Sequence, residues 1–391
     1  MLQKLYLYPI LLVAFLFNCK GQSNKIIGGL FENGDFMYIG MPKHIPSIDT
    51  SPGWLEEGQK LLITGTILQQ DGVTPAPNVI VYYYQTDTKG AYSNRKGLDQ
   101  KVARHGYIRS WVKSDKNGKY AIYTVRPAPY PNRDDPAHIH PSIKEPNIDT
   151  EYYIDAFVFD DDPLLTSKKR KSMTNRGGSG VLRLLQKGDL HIAEHNIILG
   201  LNIPNYPTVN NRQEASSGRN IGEDVISFTP YHAWGPDRST KTCPICKYGR
   251  YQGVLYFVGK HTDWEEVKKW LVYLERESFE RQKYLKAYFV YGNELSQSND
   301  RLIAHLENIG KALNLQKVAL TYVPSFSDHA SEIDMNKINP AVENTFIIYK
   351  QSNIVCKFIN LKASPKNFAL VSEALDKTQG DYFDLNSPKN N

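Results

Sequence analysis

Between residues 58 and 203 the apolar runs are short, and none repeats with the helix period. Leu61 to Leu68, Val79 to Gln85, Gly106 to Val112, Lys119 to Val125, His138 to Ser142, Tyr152 to Phe159, Gly180 to Leu184 and His191 to Leu199 each read as a strand. Asp71-Gly72, Thr88-Lys89-Gly90 and Asn117-Gly118 supply turns between them. Such a stretch has one way to bury its side chains, by packing sheet against sheet, so an all-β sandwich is expected here.

At 391 residues the chain has room for a second core. A net charge of +6 and a single short basic run, Lys168 to Lys171, without interleaved aromatics, give no case for nucleic acid. Four cysteines exclude a disulfide-dense small scaffold.

The chain opens with one lysine and an apolar run from Leu5 to Phe17, too short to span a bilayer and suited to a signal sequence. Leu16-Phe17-Asn18-Cys19 resembles the lipobox of bacterial lipoproteins. Residues 1–19 are therefore expected to be a signal peptide, with Cys19 the lipidated residue. The resemblance implies an exported protein anchored in the outer or cell membrane and facing periplasm or cell surface. Residues 20–57, rich in Gly, Pro, Ser and Asp, are expected to be a tether with little structure of its own.

The stretch from Thr124 to Pro141 carries the densest chemistry. Tyr130 precedes His138 and His140, and Ile139 alone separates the histidines. On a strand, the period of two turns both imidazoles to one face. The prolines and aspartates between Tyr130 and His138 make a loop that can return the phenol to the rings.

The Ser-Asp-x-x-Gly-x-Tyr pattern at Ser114 to Tyr120 resembles transthyretin-like modules, which fixes only a fold. Together with Tyr84 to Tyr92, Val125 to Pro131 and Pro136 to His140, it resembles the intradiol ring-cleavage dioxygenases, the group of catechol and protocatechuate 3,4-dioxygenases. That resemblance implies a non-haem Fe(III) held by Tyr92, Tyr130, His138 and His140. It also implies an aromatic diol and O2 as substrates, and Tyr130 as the ligand that leaves to act as base. Where the family has an arginine this chain has Asp135, and Arg133 is the substitute at hand. The family tryptophan position is Tyr84, and a family glutamine near Asp155-Ala156 is missing. His105, His191 and His195 read as solvated or structural, and the run Asp160 to Asp162 as a loop bordering the pocket.

Residues 204–220 read as a linker, and 221–391 change character to β-α-β-α-β-β-β-α, which resembles the thioredoxin-like fold. Thr262 is the expected cap of its first helix. Cys243-Pro244-Ile245-Cys246 resembles a redox pair but lies ahead of the first strand. Three readings stand: a thiol–disulfide centre, a structural disulfide, and half of a zinc site with His232. Cys356 reads as a small buried hydrophobe. The alternatives to an exported dioxygenase are a non-enzymatic binding module and a redox protein working through the cysteine pair.

Overall fold

The computed structural model describes residues 26–31, 34–207, 216–380 and 384–385. The expected signal peptide and Cys19 lie outside the described residues. Among those described, no helix is long and apolar enough to cross a membrane.

The first half contains α1 (Asp35–Tyr38), β1 (Ile48–Thr50), β2 (Lys60–Leu68), β3 (Ile80–Gln85), β4 (Arg109–Lys113), β5 (Lys119–Val125) and β6 (His138–Lys144). It continues through β7 (Tyr152–Tyr153), β8 (Phe157–Phe159), α2 (Ser167–Ser172), β9 (Val181–Leu182), β10 (Leu185–Lys187), β11 (Leu190–Glu194) and β12 (Ile197–Ile198). Two sheets result, in the orders β1-β5-β2-β11-β10 and β4-β3-β6-β8-β9, with β12 on β2 and β7 on β6. Alternation does the packing. Leu61 and Ile63 of β2 meet Val81 and Tyr83 of β3 and Ile139 and Ile143 of β6 in one core. The intervening residues of β3 and β6 point away from that core, which decides where the site lies.

Two expectations for this half fail. Helix α2 has no buried residue, so it left no apolar period to read; Thr166 starts it by accepting the Lys169 amide. The described part of the expected tether is a packed segment. Phe36, Met37 and Ile45 cover the outer residues Tyr82 and Trp111, and β1 pairs in parallel with β5. Backbone oxygens of this segment are also tied down: Arg109 donates to Phe36 O and Ile39 O, and Trp111 Nε1 donates to Met37 O at 2.6 Å. Composition hid this, because the apolar run from Phe36 to Met41 is short, broken by Gly40 and Pro42, and makes no sustained periodic pattern.

The second half contains β13 (Tyr231–Trp234), α3 (Pro244–Tyr248), β14 (Gln252–Val258), α4 (Trp264–Glu280), β15 (Leu285–Gly292), α5 (Asn299–Ala312), β16 (Ala319–Val323), β17 (Thr345–Lys350), β18 (Asn353–Ile359) and α6 (Pro365–Lys377). From β14 onward this is the expected order; β13 and α3 are additions. The sheet runs β13-β16-β15-β14-β17-β18, with β14 between parallel β15 and antiparallel β17. Helices α4, α5 and α6 share one core with one face of the sheet, through Trp270, Leu306 and Leu375 among others. The cap of α4 is Asp263, which accepts the amides of Glu265 and Glu266, whereas Thr262 bonds back to Gly259 O. Of the expected linker, 216–220 is packed: Ser217 is buried and Gly218 donates to Lys337 O. Residues 208–215 lie outside the described set.

The halves are joined by Arg183–Asp224 at 2.6 Å, Lys171–Glu332 at 2.6 Å, Lys350–Glu194, and the Ser179 amide on Gly222 O.

Because Met37 is fully buried, Met37→Ala is expected to cost about 2–5 kcal/mol. Chemical denaturation measures it; an unchanged midpoint would restore the tether reading.

Candidate metal centre

Strand β6 pairs antiparallel with β3, placing Tyr84 opposite His140, and with β8, placing His138 opposite Val158. Ile139 faces the core, so both imidazoles stand on the outer face of the sheet. The His138 and His140 Nε2 atoms are 2.9 Å apart.

Two loops bring the phenols over the histidines. After β3, Asp87 accepts the amides of Lys89 and Ala91, which folds the chain toward Tyr92. After β5, the 126–137 loop is stitched to it: Ala128 N donates to Asp87 O, and Thr86 Oγ1 donates to Ala128 O at 2.7 Å. Gly90 sits where the loops touch. Its φ is +78°, and a Cβ there would lie 2.1 Å from Pro129 O, so only glycine permits the approach. Tyr92 and Tyr130 hydroxyls then meet at 2.6 Å, and Tyr130 OH is 3.4 Å from His140 Nε2. The structure thus brings together all four residues the sequence singled out.

Their surroundings fix the rings. His138 Nδ1 lies 2.7 Å from Pro136 O; the carbonyl can only accept, so Nδ1 carries a proton and Nε2 is the nitrogen turned to the cluster. Asp162 holds the strand entrance by accepting the Ala137 amide at 2.8 Å and the Leu164 amide with its other oxygen. Tyr84 stacks on His140, with centroids 4.6 Å apart, and on His105 at 3.9 Å. Tyr82 OH accepts from Arg109 Nε and lies 2.8 Å from His105 Nδ1, which fixes the ring. Burial, with Arg104 and Arg109 nearby, pushes the His105 pKa down to about 4.

Burial, then the neighbouring His138 and His105, lowers His140 to about 3. Burial and the bond to Tyr130 push the Tyr92 phenol far above its ordinary value. By itself the pocket therefore favours a neutral Tyr92 phenol beside a neutral His140 imidazole. A bound cation would reverse the preference of the phenol. Among the described residues, no group of three or more His, Cys, Asp and Glu could hold a metal, so a metal at these histidines needs the tyrosines.

Arg133 is exposed at the rim, paired with Asp135 at 3.1 Å, its guanidinium 5.4 Å from the Tyr130 ring centre. The run of three aspartates is divided among separate tasks: Asp160 accepts Leu184 N, Asp161 binds Arg126 in bidentate fashion at 2.6 and 2.7 Å, and Asp162 holds Ala137. His105, His191 and His195 are buried rather than solvated. Sequence reasoning missed the stack and Asp162. The alternation of Tyr82 and Tyr84 with core residues was the available signal for the stack; nothing local pointed to Asp162.

Cys243 and Cys246 form a disulfide at the start of α3. His232 is fully buried, with its ring nitrogens at 3.1 Å from Pro236 O and 2.9 Å from Thr242 O. Oxidised thiols and an imidazole facing two carbonyls leave no zinc ligands, so that reading is withdrawn. Cys356 is half-buried, and burial raises its pKa to about 11.

Residues 41–178 match the family model Dioxygenase_C, described as Dioxygenase, a span that contains all four site residues and part of the supposed tether. Catechol 1,2-dioxygenase of Acinetobacter baylyi is 31% identical over 97 residues, covering 25% of this chain and 30% of that protein's length. Among solved structures, a dioxygenase domain from Streptomyces sp. SirexAA-E is 18% identical, covering 41% of this chain and 91% of that one, with a TM-score of 0.30. Hydroxyquinol 1,2-dioxygenase of Pseudomonas putida DLL-E4 is 21% identical, covering 40% and 62%, with a TM-score of 0.30. The chain carries an intradiol-dioxygenase-like domain.

The depressed His140 value has a sign. The unfolded chain takes up a proton at about pH 6.5 that the folded site refuses until about pH 3, so metal-free protein loses stability as pH falls between those limits. Nitrogen-detected NMR of the metal-free protein is expected to show His140 neutral at pH 5. A His140 titration at its ordinary value would contradict the burial argument.

Proposed function

We propose that Tyr92, Tyr130, His138 and His140 hold a non-haem ferric ion, and that the domain cleaves the ring of a catechol-type diol between its hydroxyl-bearing carbons, using O2. The observation that carries the reading is the donor set: two phenol oxygens and two imidazole Nε2 atoms converge on one point, with His138 Nε2 turned inward by the bond from Nδ1 to Pro136 O. Phenolates are hard anionic donors that favour Fe(III), and a metal-binding imidazole whose other nitrogen donates to a carbonyl is a recurring arrangement. When bound, the ferric ion would supply the Lewis acidity and electron withdrawal that make a catecholate reactive toward O2.

The chain's own residues do the rest. Tyr130 takes the diol proton on its phenolate oxygen, while Tyr92, whose ring packs against Tyr84, stays in place. Tyr84 keeps the His140 ring in its plane by stacking. Arg133 turns from Asp135 toward the bound diol and offers positive charge to the ring as it becomes electron-rich. The equivalent family position, Asp135, is a carboxylate, so the rate is expected to depend on Arg133.

We also propose that residues 216–380 are a thioredoxin-like module, supported by the element order and by β14 lying between parallel and antiparallel neighbours. The lipobox-like Leu16 to Cys19 supports an exported, lipid-anchored location.

Purified protein is expected to contain about one iron per chain and a broad visible tyrosinate charge-transfer band that shifts when catechol is added without oxygen. Tyr130→Phe is expected to lower turnover by about 100-fold or more as a lost acid–base group, while His138→Ala abolishes iron binding. Arg133→Ala is expected to lower kcat with little change in KM. A colourless protein after reconstitution with ferric iron would sink this reading.

A further inference from the structure

The Cys243–Cys246 disulfide is built asymmetrically. Cys243 is 9% exposed and belongs to the core on the sheet face opposite α4, with Phe228, Ile245 and Leu255. Cys246 lies one turn on and is exposed. The Cys246 amide donates to Cys243 Sγ at 3.0 Å. Cys243 is thus anchored in the core, while Cys246 faces solvent.

A disulfide that closes so short a loop constrains the unfolded chain least, because the entropic gain grows with loop length. The core beneath it is already complete without a covalent tie: Cys243 packs among buried aromatics and aliphatics of β14, β15 and β17. Its stabilising value is therefore small, whereas its accessibility is what exchange chemistry requires.

We propose that this pair is an exchangeable dithiol–disulfide centre with Cys246 as the reactive sulfur, accepting electrons from an external dithiol. An incoming thiolate attacks Cys246 Sγ, the S–S bond breaks, and Cys243 leaves with the electron pair. Desolvation disfavours a buried thiolate, and the Cys246 N–H already aimed at Cys243 Sγ offsets this. The second thiolate of the donor then attacks its own sulfur in the mixed disulfide and releases Cys246. The balance is one protein disulfide and one external dithiol giving one protein dithiol and one external disulfide, with two electrons and two protons passed to the protein. The order of roles follows from exposure: the second cysteine of the motif reacts and the first is buried. The centre works independently of iron at the other site.

The test uses the full chain with Cys19→Ser and Cys356→Ser, so that the pair alone carries thiols. Millimolar dithiothreitol under native conditions is expected to reduce it reversibly, read by alkylation and mass spectrometry, with tryptophan fluorescence and far-ultraviolet dichroism unchanged. In that background Cys243→Ser is expected to react with an aromatic disulfide reagent ~10-fold or more faster than Cys246→Ser. A pair reduced only as the protein unfolds is a structural disulfide and overturns the proposal. So do equal or reversed rates in the two variants. If either variant misfolds, reversible reduction of the parent protein still decides.

Discussion

The pairing of β6 with β3 is the constraint on which the rest depends. It sets Tyr84 against His140 and Ile139 into the core, so the same register that closes the sandwich projects two imidazoles from its outer face. A slip of one residue would bury the histidines and expose the isoleucine. The stability of the core therefore guarantees the geometry of the site, without the site contributing to the core. Tyr84, on the neighbouring strand of that outer face, then holds His140 from the side by stacking.

An outer sheet face must be covered, and here the cover is also the remainder of the site. The 86–107 and 126–137 loops cross at Gly90 and Pro129 and deliver Tyr92 and Tyr130. The 34–45 segment covers the adjoining aromatic surface of Tyr82 and Trp111. Arg109 links the two covers, since it bonds to Tyr82 OH, which orients His105, and to the backbone oxygens of Phe36 and Ile39. The 34–45 segment is thus part of the framework under the stack. The second half is paired to the first through Lys171, Arg183 and Glu194.

What could be read from the sequence had a period or a spacing. The strands of the sandwich announced themselves by alternation, and His138-Ile139-His140 by the strand period. The second half did so by apolar faces such as Leu302, Leu306 and Ile309. What could not be read lacked such a signal. Phe36 and Met37 lie in a short apolar run, Phe36 to Met41, without a sustained period, α2 buries nothing, and Asp162 acts through a carboxylate on the Ala137 amide across 25 positions of chain. Thr262 was an equally good cap by composition, and the chain uses Asp263 because its carboxylate reaches two amides. The cysteine pair was legible as a motif, but which sulfur faces solvent depends on the packing of α3 against the sheet.

The most direct test of the central claim is an anomalous difference map from crystals of the native protein, with data collected on either side of the iron absorption edge. The account predicts one strong peak per chain, bounded by the Tyr92 and Tyr130 hydroxyl oxygens and the Nε2 atoms of His138 and His140. An iron-loaded crystal with its peak elsewhere, or with none at this cluster, would contradict it.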